Sequence, residues 1–283
     1  MINADLQISV SSFPFNYAVV ENFFDEGTSQ ALAMIFQSLI GLGKPIGKVG
    51  EQGNQIYNAV NYNPTLSQIA GTALRQIVSQ DVRAFVANVF DIYLDENVIL
   101  GMHQHMPPSD KGWVHTDFAV VSFPKVSPNL DGMRVFTGDS GVNYSDDSKH
   151  RQPESIKTAR SVACLYYIGN VPWQSGFGGE TGVYLPDGKT LFKAIPPRNN
   201  SLFMFEISPI SYHAFMGSSS LRRNSFIWWY HSDPGYLIHR HQRLAKYRAD
   251  RGEDPWDRWT DTNVEKFETP VFYLDESNSK NVG

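Results

Sequence analysis

Between Asn97 and His231 the chain consists of short runs rich in β-branched and aromatic residues. Gly, Pro, Asn and Asp separate these runs, as they separate the strands of compact β proteins. The eight runs cover residues 98–105, 113–121, 161–168, 181–185, 190–195, 201–207, 211–216 and 223–230. Eight short strands in one stretch favour a jelly roll or a barrel, so we predict a mainly β protein of the α+β class.

A mainly helical preface comes before these strands. Residues 17–24 have the composition of a short strand, and Asp25 or Thr28 is placed to cap a helix after it. A Gly-rich segment, 41–53, follows; its spacing fits no phosphate-binding loop, and we interpret it as a connector. Asn63-Pro64 then opens a second helical stretch. We expect these helices to pack on one face of the jelly-roll core.

We predict a single domain with three parts and one insertion. The helical preface covers residues 1–96, the core covers 97–232, and a charged extension that contains tryptophan covers 233–283. The insertion in the core, residues 124–158, is polar and contains several Pro and Gly residues. A loop of this length in a compact domain is usually a lid, a binding loop or a disordered insertion, and we expect it to cover the site as a lid.

Charge and cysteine content exclude several classes of function. Lys and Arg (24) against Asp and Glu (29) give a net charge of −5 without long runs of one sign, so nucleic acid is not an expected partner. Cys164 is the single cysteine, which excludes an internal disulfide and a zinc site built on cysteine. The start does not resemble a signal peptide, and no segment approaches the roughly 20 apolar residues of a membrane span. We expect a cytoplasmic protein without a membrane partner; its oligomeric state stays open.

His115-Thr116-Asp117 is the first candidate for a chemical role. Residues i and i+2 of a strand share a face, so the imidazole and the carboxylate should project together. His213 lies in another predicted strand of the same core. Two histidines and one carboxylate form the facial triad of non-haem Fe(II) oxygenases, which leaves other metal positions open for cosubstrate and dioxygen.

A second group of candidates lies on the last two predicted strands. Residues 217–220 have the composition of a turn, and a symmetric hairpin would place Arg223 directly opposite His213. Ser225 would share that face. A guanidinium and a hydroxyl beside a metal ligand suit a small dicarboxylate that chelates the metal at one end. A one-residue bulge would put Arg222 in the place of Arg223.

These candidates resemble the ligands of the Fe(II)/2-oxoglutarate-dependent dioxygenases, and the surrounding sequence resembles their prolyl 4-hydroxylase branch. The matching motifs, in the family's order, are Cys164 to Asn170, Trp173, Gly178-Gly179-Glu180, Val183-Tyr184, Pro197 to Phe205, Ser211-Tyr212-His213 and Arg223 to Tyr230. The resemblance covers about residues 98–232. It implies a double-stranded β-helix, which is the jelly roll of that family.

The resemblance also implies a site and a reaction. The implied Fe(II) ligands are His115, Asp117 and His213, and the implied 2-oxoglutarate ligands are Arg223, Ser225 and Tyr167. With dioxygen as the second cosubstrate, such an enzyme hydroxylates an unactivated C–H bond and releases succinate and carbon dioxide. The retained carboxylate of Asp117 favours hydroxylation or a desaturation-like outcome over chlorination. Trp229 stands where the nucleic-acid demethylases of the superfamily have a second Arg, which argues against a nucleic-acid substrate.

The substrate stays open between alternatives. The length of the 124–158 insertion favours a small molecule, such as an amino acid or a secondary metabolite. A protein prolyl hydroxylase is the alternative within the family. An alternative of another class is a binding protein on an inactive dioxygenase scaffold, or a cupin-like protein that binds metal through His103 and His105 on one strand face.

Several smaller features have simpler interpretations. Gly178-Gly179 is typical of a tight turn, and Glu180 beside it is a further candidate for the site. Residues 228–230 (Trp-Trp-Tyr) are interpreted as packing of the last strand. His239-Arg240-His241 lies in the charged extension and is interpreted as a solvated helix surface.

Overall fold

A computed structural model of the chain describes residues 1–49, 56–124, 128–137, 155–218, 220–241 and 272–273. These residues form two β-sheets whose inner faces contact each other, with helices packed against the larger sheet. The prediction of a mainly β fold with a jelly-roll core is confirmed. Among the described residues, no helix is both long and apolar enough to cross a bilayer.

Fifteen strands and five helices follow one another along these residues. The strands are β1 (Gln7–Ser11), β2 (Tyr17–Glu21), β3 (Lys44–Val49), β4 (Ile56–Tyr62), β5 (Asn97–His105), β6 (His115–Thr116), β7 (Val120–Pro124), β8 (Arg134–Phe136), β9 (Ser155–Tyr167), β10 (Thr181–Tyr184), β11 (Leu191–Ile195), β12 (Ser201–Glu206), β13 (His213–Phe215), β14 (Arg223–Ser232) and β15 (Phe272–Tyr273). The helices are α1 (Glu26–Ile40), α2 (Leu66–Ala70), α3 (Leu74–Ile77), α4 (Gln80–Phe90) and α5 (Pro234–Arg240).

The larger sheet has ten strands and the smaller has five. Eight strands of the larger sheet lie in the order β1-β2-β12-β9-β14-β5-β4-β3, while β7 pairs with β9 and β8 pairs with β5. The smaller sheet has the order β11-β10-β13-β6-β15. Each of the eight predicted runs contains a strand, and the run 113–121 divides between β6 of the smaller sheet and the start of β7 of the larger.

The helical preface begins as predicted. Asp25 caps α1, where its carboxylate accepts a hydrogen bond from the Thr28 backbone N–H (2.9 Å). Leu32, Phe36 and Ile40 are buried on one face of α1, in agreement with their helical spacing. The predicted second helical stretch is present as the three consecutive helices α2, α3 and α4.

The two faces of β14 contact different parts of the molecule. Phe226 and Trp228 are fully buried on the outer face, where the Phe226 ring contacts Phe36 of α1 with centroids 5.3 Å apart. Because side chains alternate along a strand, Arg223 and Ser225 point to the inner face. Helix α1 therefore covers the outer side of the larger sheet, and the inner side faces the smaller sheet.

The Gly-rich segment 41–53 was interpreted as a connector, and this interpretation was wrong for its described part. Strands β3 and β4 form an antiparallel hairpin that extends the larger sheet, with residues 50–55 outside the described ones. The division of the domain at residues 96 and 232 stays a prediction.

Part of the predicted lid also belongs to the larger sheet. β8 lies within the 124–158 insertion, and the last residues of the insertion already belong to β9. Met133 is fully buried, and Arg134 donates a hydrogen bond to the Asn97 side chain (2.7 Å). Residues 128–137 therefore pack on the core, so the prediction of a lid or binding loop was wrong for them. Residues 125–127 and 138–154 lie outside the described residues.

The extension begins with a buried ion cluster. Arg240 donates to the Glu206 carboxylate through two nitrogens, at 2.6 and 3.2 Å, and to the Phe90 carbonyl at 2.8 Å. His241 Nε2 lies 3.2 Å from the same carboxylate. The prediction of a solvated helix surface was wrong for Arg240 and His241, because Glu206 comes from the distant strand β12. The tryptophans of the extension lie outside the described residues.

Replacing Arg240 by Ala should lower the free energy of unfolding by about 2–4 kcal/mol, because Glu206 would stay buried without its main cation. Urea unfolding measures the change. The matched control is Arg198→Ala, since Arg198 pairs with Glu21 at the surface. The control should cost less than about 1 kcal/mol, and equal losses in the two variants would contradict the role given to the buried cluster.

His231 is a histidine of the core. Its ring lies against Phe123, with centroids 4.7 Å apart, and it is fully buried. Neither ring nitrogen has a hydrogen-bond partner among the described residues. Burial, with a contribution from the nearby Arg160 cation, holds the pKa of His231 well below its usual range. The folded protein therefore keeps this imidazole neutral at pH values where the unfolded chain protonates it.

The unfolded chain takes up this proton as the pH falls below about 6.5, while the folded protein does not. The contribution of the neutral, buried His231 to the free energy of unfolding is therefore fully present above about pH 6.5 and is lost progressively below it. His231→Phe should reduce the loss of stability between pH 7 and pH 5 by up to about 1.4 kcal/mol per pH unit. Urea unfolding of both proteins across that range measures the two slopes, and parallel slopes would refute the assignment.

Candidate active site

The smaller sheet brings two histidines and one carboxylate together. His115 on β6 and His213 on β13 are directly paired residues of these two antiparallel strands. Asp117 follows two residues after His115, just beyond the end of β6. One ligand atom from each of the three side chains lies within 4.8 Å of the others. The predicted triad is therefore one spatial group, and the described residues contain no second group of His, Cys, Asp or Glu with this proximity.

Both imidazole rings are oriented by backbone carbonyls. His115 Nδ1 lies 2.9 Å from the Trp113 carbonyl oxygen, and His213 Nδ1 lies 3.1 Å from the Ser211 carbonyl oxygen. A carbonyl accepts only from an N–H, so each ring carries its proton on Nδ1 and presents the Nε2 lone pair. Burial holds the pKa of His213 at about 4, which keeps this ring neutral at physiological pH.

The carboxylate of Asp117 lies between these two nitrogens. His115 Nε2 is 3.7 Å from Oδ1, and His213 Nε2 is 3.8 Å from Oδ2. Burial favours the neutral acid, but His213, His115 and the Arg160 cation outweigh it and lower the pKa of Asp117. Two imidazoles and one ionised carboxylate are a donor set that suits Fe(II).

A buried guanidinium lies on the inner face of the larger sheet. Arg223 donates to the Thr181 hydroxyl (3.0 Å) and lies 3.5 Å from the Tyr167 hydroxyl; these two hydroxyls are 2.7 Å apart. The guanidinium carbon also lies 5.1 Å from the Tyr167 ring centroid and 5.3 Å from that of Phe215. No carboxylate of the described residues forms an ion pair with it, although Arg223 is only 4% exposed. Arg222 is exposed, so the alternative of exchanged arginines is excluded.

The hairpin that was predicted between the last two strands does not form. His213 pairs with Val183 of β10 and with His115, whereas Arg223 pairs with His105 of β5. The residues between β13 and β14 cross from the smaller sheet to the larger, and Ser218 on the way bridges to Ser109 and Gly178. His213 and Arg223 nevertheless face the same space, because they lie on the inner faces of opposed sheets.

A row of polar side chains crosses the inner face beside Arg223. Ser225 pairs with Tyr167 of β9 on one side and with His103 of β5 on the other, and His103 pairs with Asn61 of β4. Burial and the Arg223 cation hold the pKa of His103 at about 4. His103 and His105 belong to this wall of the site and not to the metal-binding group, which disfavours the cupin-like arrangement.

Three residues of the site were not predicted. Thr181, and not its neighbour Glu180, contacts Arg223. Trp229 was interpreted as packing, but its indole N–H donates to Asp117 Oδ2 (2.7 Å), and Arg160 stacks on its ring. Alternation along β14 could have found Trp229, since residues 223, 225, 227 and 229 share one face. Nothing in the sequence around Arg160 indicates its contact with Asp117.

Comparison with known proteins finds one family whose sequence model matches part of this chain. The sequence model of the 2OG-Fe(II) oxygenase superfamily matches residues 133–231, a range that contains His213, Arg223 and Trp229. A search of curated proteins found no match.

The chain is similar to several solved prolyl hydroxylases. The similarity to a prolyl-4-hydroxylase of Pseudomonas putida has 15% identity and a TM-score of 0.46, over 76% of this chain and 91% of that chain. A prolyl hydroxylase of Trichoplax adhaerens, in complex with a hypoxia inducible factor peptide fragment, is 15% identical with a TM-score of 0.47. This similarity covers 76% of this chain and 82% of that chain. A viral collagen prolyl hydroxylase of Paramecium Bursaria Chlorella virus-1 is 14% identical with a TM-score of 0.46. This similarity covers 76% of this chain and 96% of that chain.

The family match covers the strands that carry one metal-ligand candidate and the buried guanidinium, and the structure joins His115 and Asp117 to them. The donor set suits Fe(II), and Arg223, which has no carboxylate partner among the described residues, suits an anionic cosubstrate. Residues 133–231 are therefore similar to the 2OG-Fe(II) oxygenase superfamily, and the three metal-ligand candidates and Arg223 form a site that fits this similarity.

Proposed function

We propose that the protein hydroxylates an unactivated C–H bond of a small molecule, with release of succinate and carbon dioxide. His115, Asp117 and His213 hold Fe(II), while Arg223, Ser225 and Tyr167 hold 2-oxoglutarate. One observation carries the proposal: a compact group of three metal-ligand side chains and a buried guanidinium face the same space between the two sheets, and no carboxylate of the described residues pairs with that guanidinium. Bound Fe(II) supplies the activation of dioxygen that accompanies decarboxylation of 2-oxoglutarate.

Arg223 is suited to bind the carboxylate of 2-oxoglutarate that lies far from the metal. A buried cation without a counterion is costly, and an anionic ligand removes that cost. Thr181 and Tyr167 fix the guanidinium from one side and leave other N–H groups for the ligand. Ser225 lies on the same face of β14, one strand from Tyr167, and adds a hydroxyl donor.

Burial of the site supports chemistry that excludes water. Asp117, His213, Arg223 and Ser225 are each less than a tenth exposed. Electrostatic interactions are stronger in such an environment than in bulk water, and reactive species are protected from side reactions. The two histidines need no reorganisation to bind the metal, because Nδ1 of each ring already donates to a carbonyl.

The polar wall of the site supports a small polar substrate. Asn61 and His103 are paired across β4 and β5, and they continue the row of Ser225 and Tyr167 across the inner face of the larger sheet. Hydrogen-bonding side chains in this position suit an amino acid or a polar metabolite. The second candidate is a protein prolyl hydroxylase, which the motifs in residues 164–184 and 197–230 favour.

Succinate release should distinguish the two substrate classes. The protein with Fe(II), ascorbate and 2-oxoglutarate should release succinate faster with one or more free amino acids or small metabolites than without them, and mass spectrometry should show a gain of one oxygen. Proline-rich peptides of about ten residues form the comparison set. Stimulation by peptides and by no small molecule would overturn the small-molecule proposal and favour the prolyl hydroxylase.

Arg223→Gln should weaken 2-oxoglutarate binding about 10- to 100-fold, because a charge-assisted bidentate contact is replaced by a neutral amide. Titration calorimetry of 2-oxoglutarate into the anaerobic Fe(II) protein measures the dissociation constant. Arg222→Gln makes the same chemical change one residue away on an exposed side chain, and it should leave binding within about twofold of wild type. Equal effects of the two substitutions would exclude Arg223 as the specific anchor.

A further inference from the structure

The carboxylate of Asp117 has neighbours beyond the two histidines, and they come from the larger sheet. Trp229 on β14 donates its indole N–H to Oδ2 at 2.7 Å. Arg160 on β9 places a guanidinium nitrogen 3.9 Å from Oδ1. The two side chains also contact each other, since the Arg160 guanidinium carbon lies 4.6 Å from the centroid of the Trp229 ring. The contacts link Asp117, which follows a strand of only two residues, to two long central strands.

The hydrogen bond from Trp229 restricts how Asp117 can act as a ligand. A free carboxylate rotates and can offer either oxygen, or both, to a metal. The indole N–H takes one acceptor position of Oδ2 and orients the carboxylate plane. Oδ1, which lies 3.7 Å from His115 Nε2, receives no hydrogen bond from the indole and is the oxygen that we expect to bind the metal.

The stacked Arg160 holds the indole in place. An arginine over the face of a tryptophan is attracted to the ring and restricts its rotation. Trp229 is partly exposed on the inner face, whereas its neighbour Trp228 is fully buried on the outer face. Packing therefore constrains Trp229 less than Trp228, and Arg160 provides the missing constraint.

We infer that Trp229 and Arg160 are positioning residues that hold Asp117 as a ligand through one oxygen. The inference rests on the proposed function, because it assigns the pair a role at the proposed Fe(II) site.

The test uses Fe(II) affinity of the full chain, measured anaerobically by titration calorimetry with metal-free protein. Trp229→Phe keeps an aromatic ring for Arg160 to stack on but removes the N–H. Its dissociation constant for Fe(II) should rise about 10- to 100-fold, which is the usual effect of removing a partner that orients a metal ligand. Arg160→Gln should raise the constant by a smaller factor, because the N–H remains while its support is lost.

Trp228→Phe is the matched control. It makes the same chemical change on the neighbouring residue, whose side chain points to the outer face. This variant should keep the Fe(II) affinity of wild type even where its melting temperature falls. The melting temperatures of all metal-free variants separate a loss of folding from a loss of ligand orientation. If Trp229→Phe does not fold, the Fe(II) affinity of Arg160→Gln is the test.

The outcomes distinguish this inference from the proposed function. If wild type and Trp229→Phe bind Fe(II) equally well, the positioning role is overturned and the proposed function stands. The same conclusion follows from equal binding by Arg160→Gln where Trp229→Phe does not fold. If Trp228→Phe weakens Fe(II) binding as much as Trp229→Phe, the effect is structural and the inference is again overturned. If folded wild-type protein binds no Fe(II), both the proposed function and the inference fail.

Discussion

The pairing of β6 with β13 is the contact on which the rest of the site depends. These strands have only two and three residues, and their direct partners are His115 and His213. A shift of one residue would turn one imidazole to the opposite face and separate the donors. The smaller sheet gains its support from the larger one, through contacts such as Phe205 with His213 and Arg223 with Thr181.

Charge balance explains why both sheets are needed. The larger sheet buries the cation of Arg223, and the loop after β6 buries the anion of Asp117, yet these two groups do not form an ion pair with each other within the described residues. A buried cation kept apart from the nearby anion costs stability unless ligands complete the arrangement. In the proposed site, a divalent metal on the anion and a dicarboxylate between the metal and the cation would do so. The chemistry that we propose therefore follows from the placement of a buried cation and a buried anion that are not paired with each other.

Sequence patterns predicted those parts of the fold and site that depend on local periodicity. The eight strand runs, the cap at Asp25 and the shared direction of His115 and Asp117 follow from spacing along one segment. The prediction of a hairpin between His213 and Arg223 was wrong, because a turn sequence at 217–220 does not specify whether the two flanking strands pair in one sheet or belong to different sheets. Contacts such as Glu206 with Arg240, Thr181 with Arg223 and Trp229 with Asp117 join distant segments, and no local pattern encodes them.

The most direct test of the account is the visible absorption of the anaerobic protein with Fe(II) and 2-oxoglutarate. Chelation of Fe(II) by the cosubstrate in the site should produce a metal-to-ligand charge-transfer band in wild type. Asp117→Ala, which removes one of the three protein ligands, should weaken or abolish that band. Absence of the band from folded wild-type protein would contradict the central claim that these two sheets build one site for Fe(II) and 2-oxoglutarate.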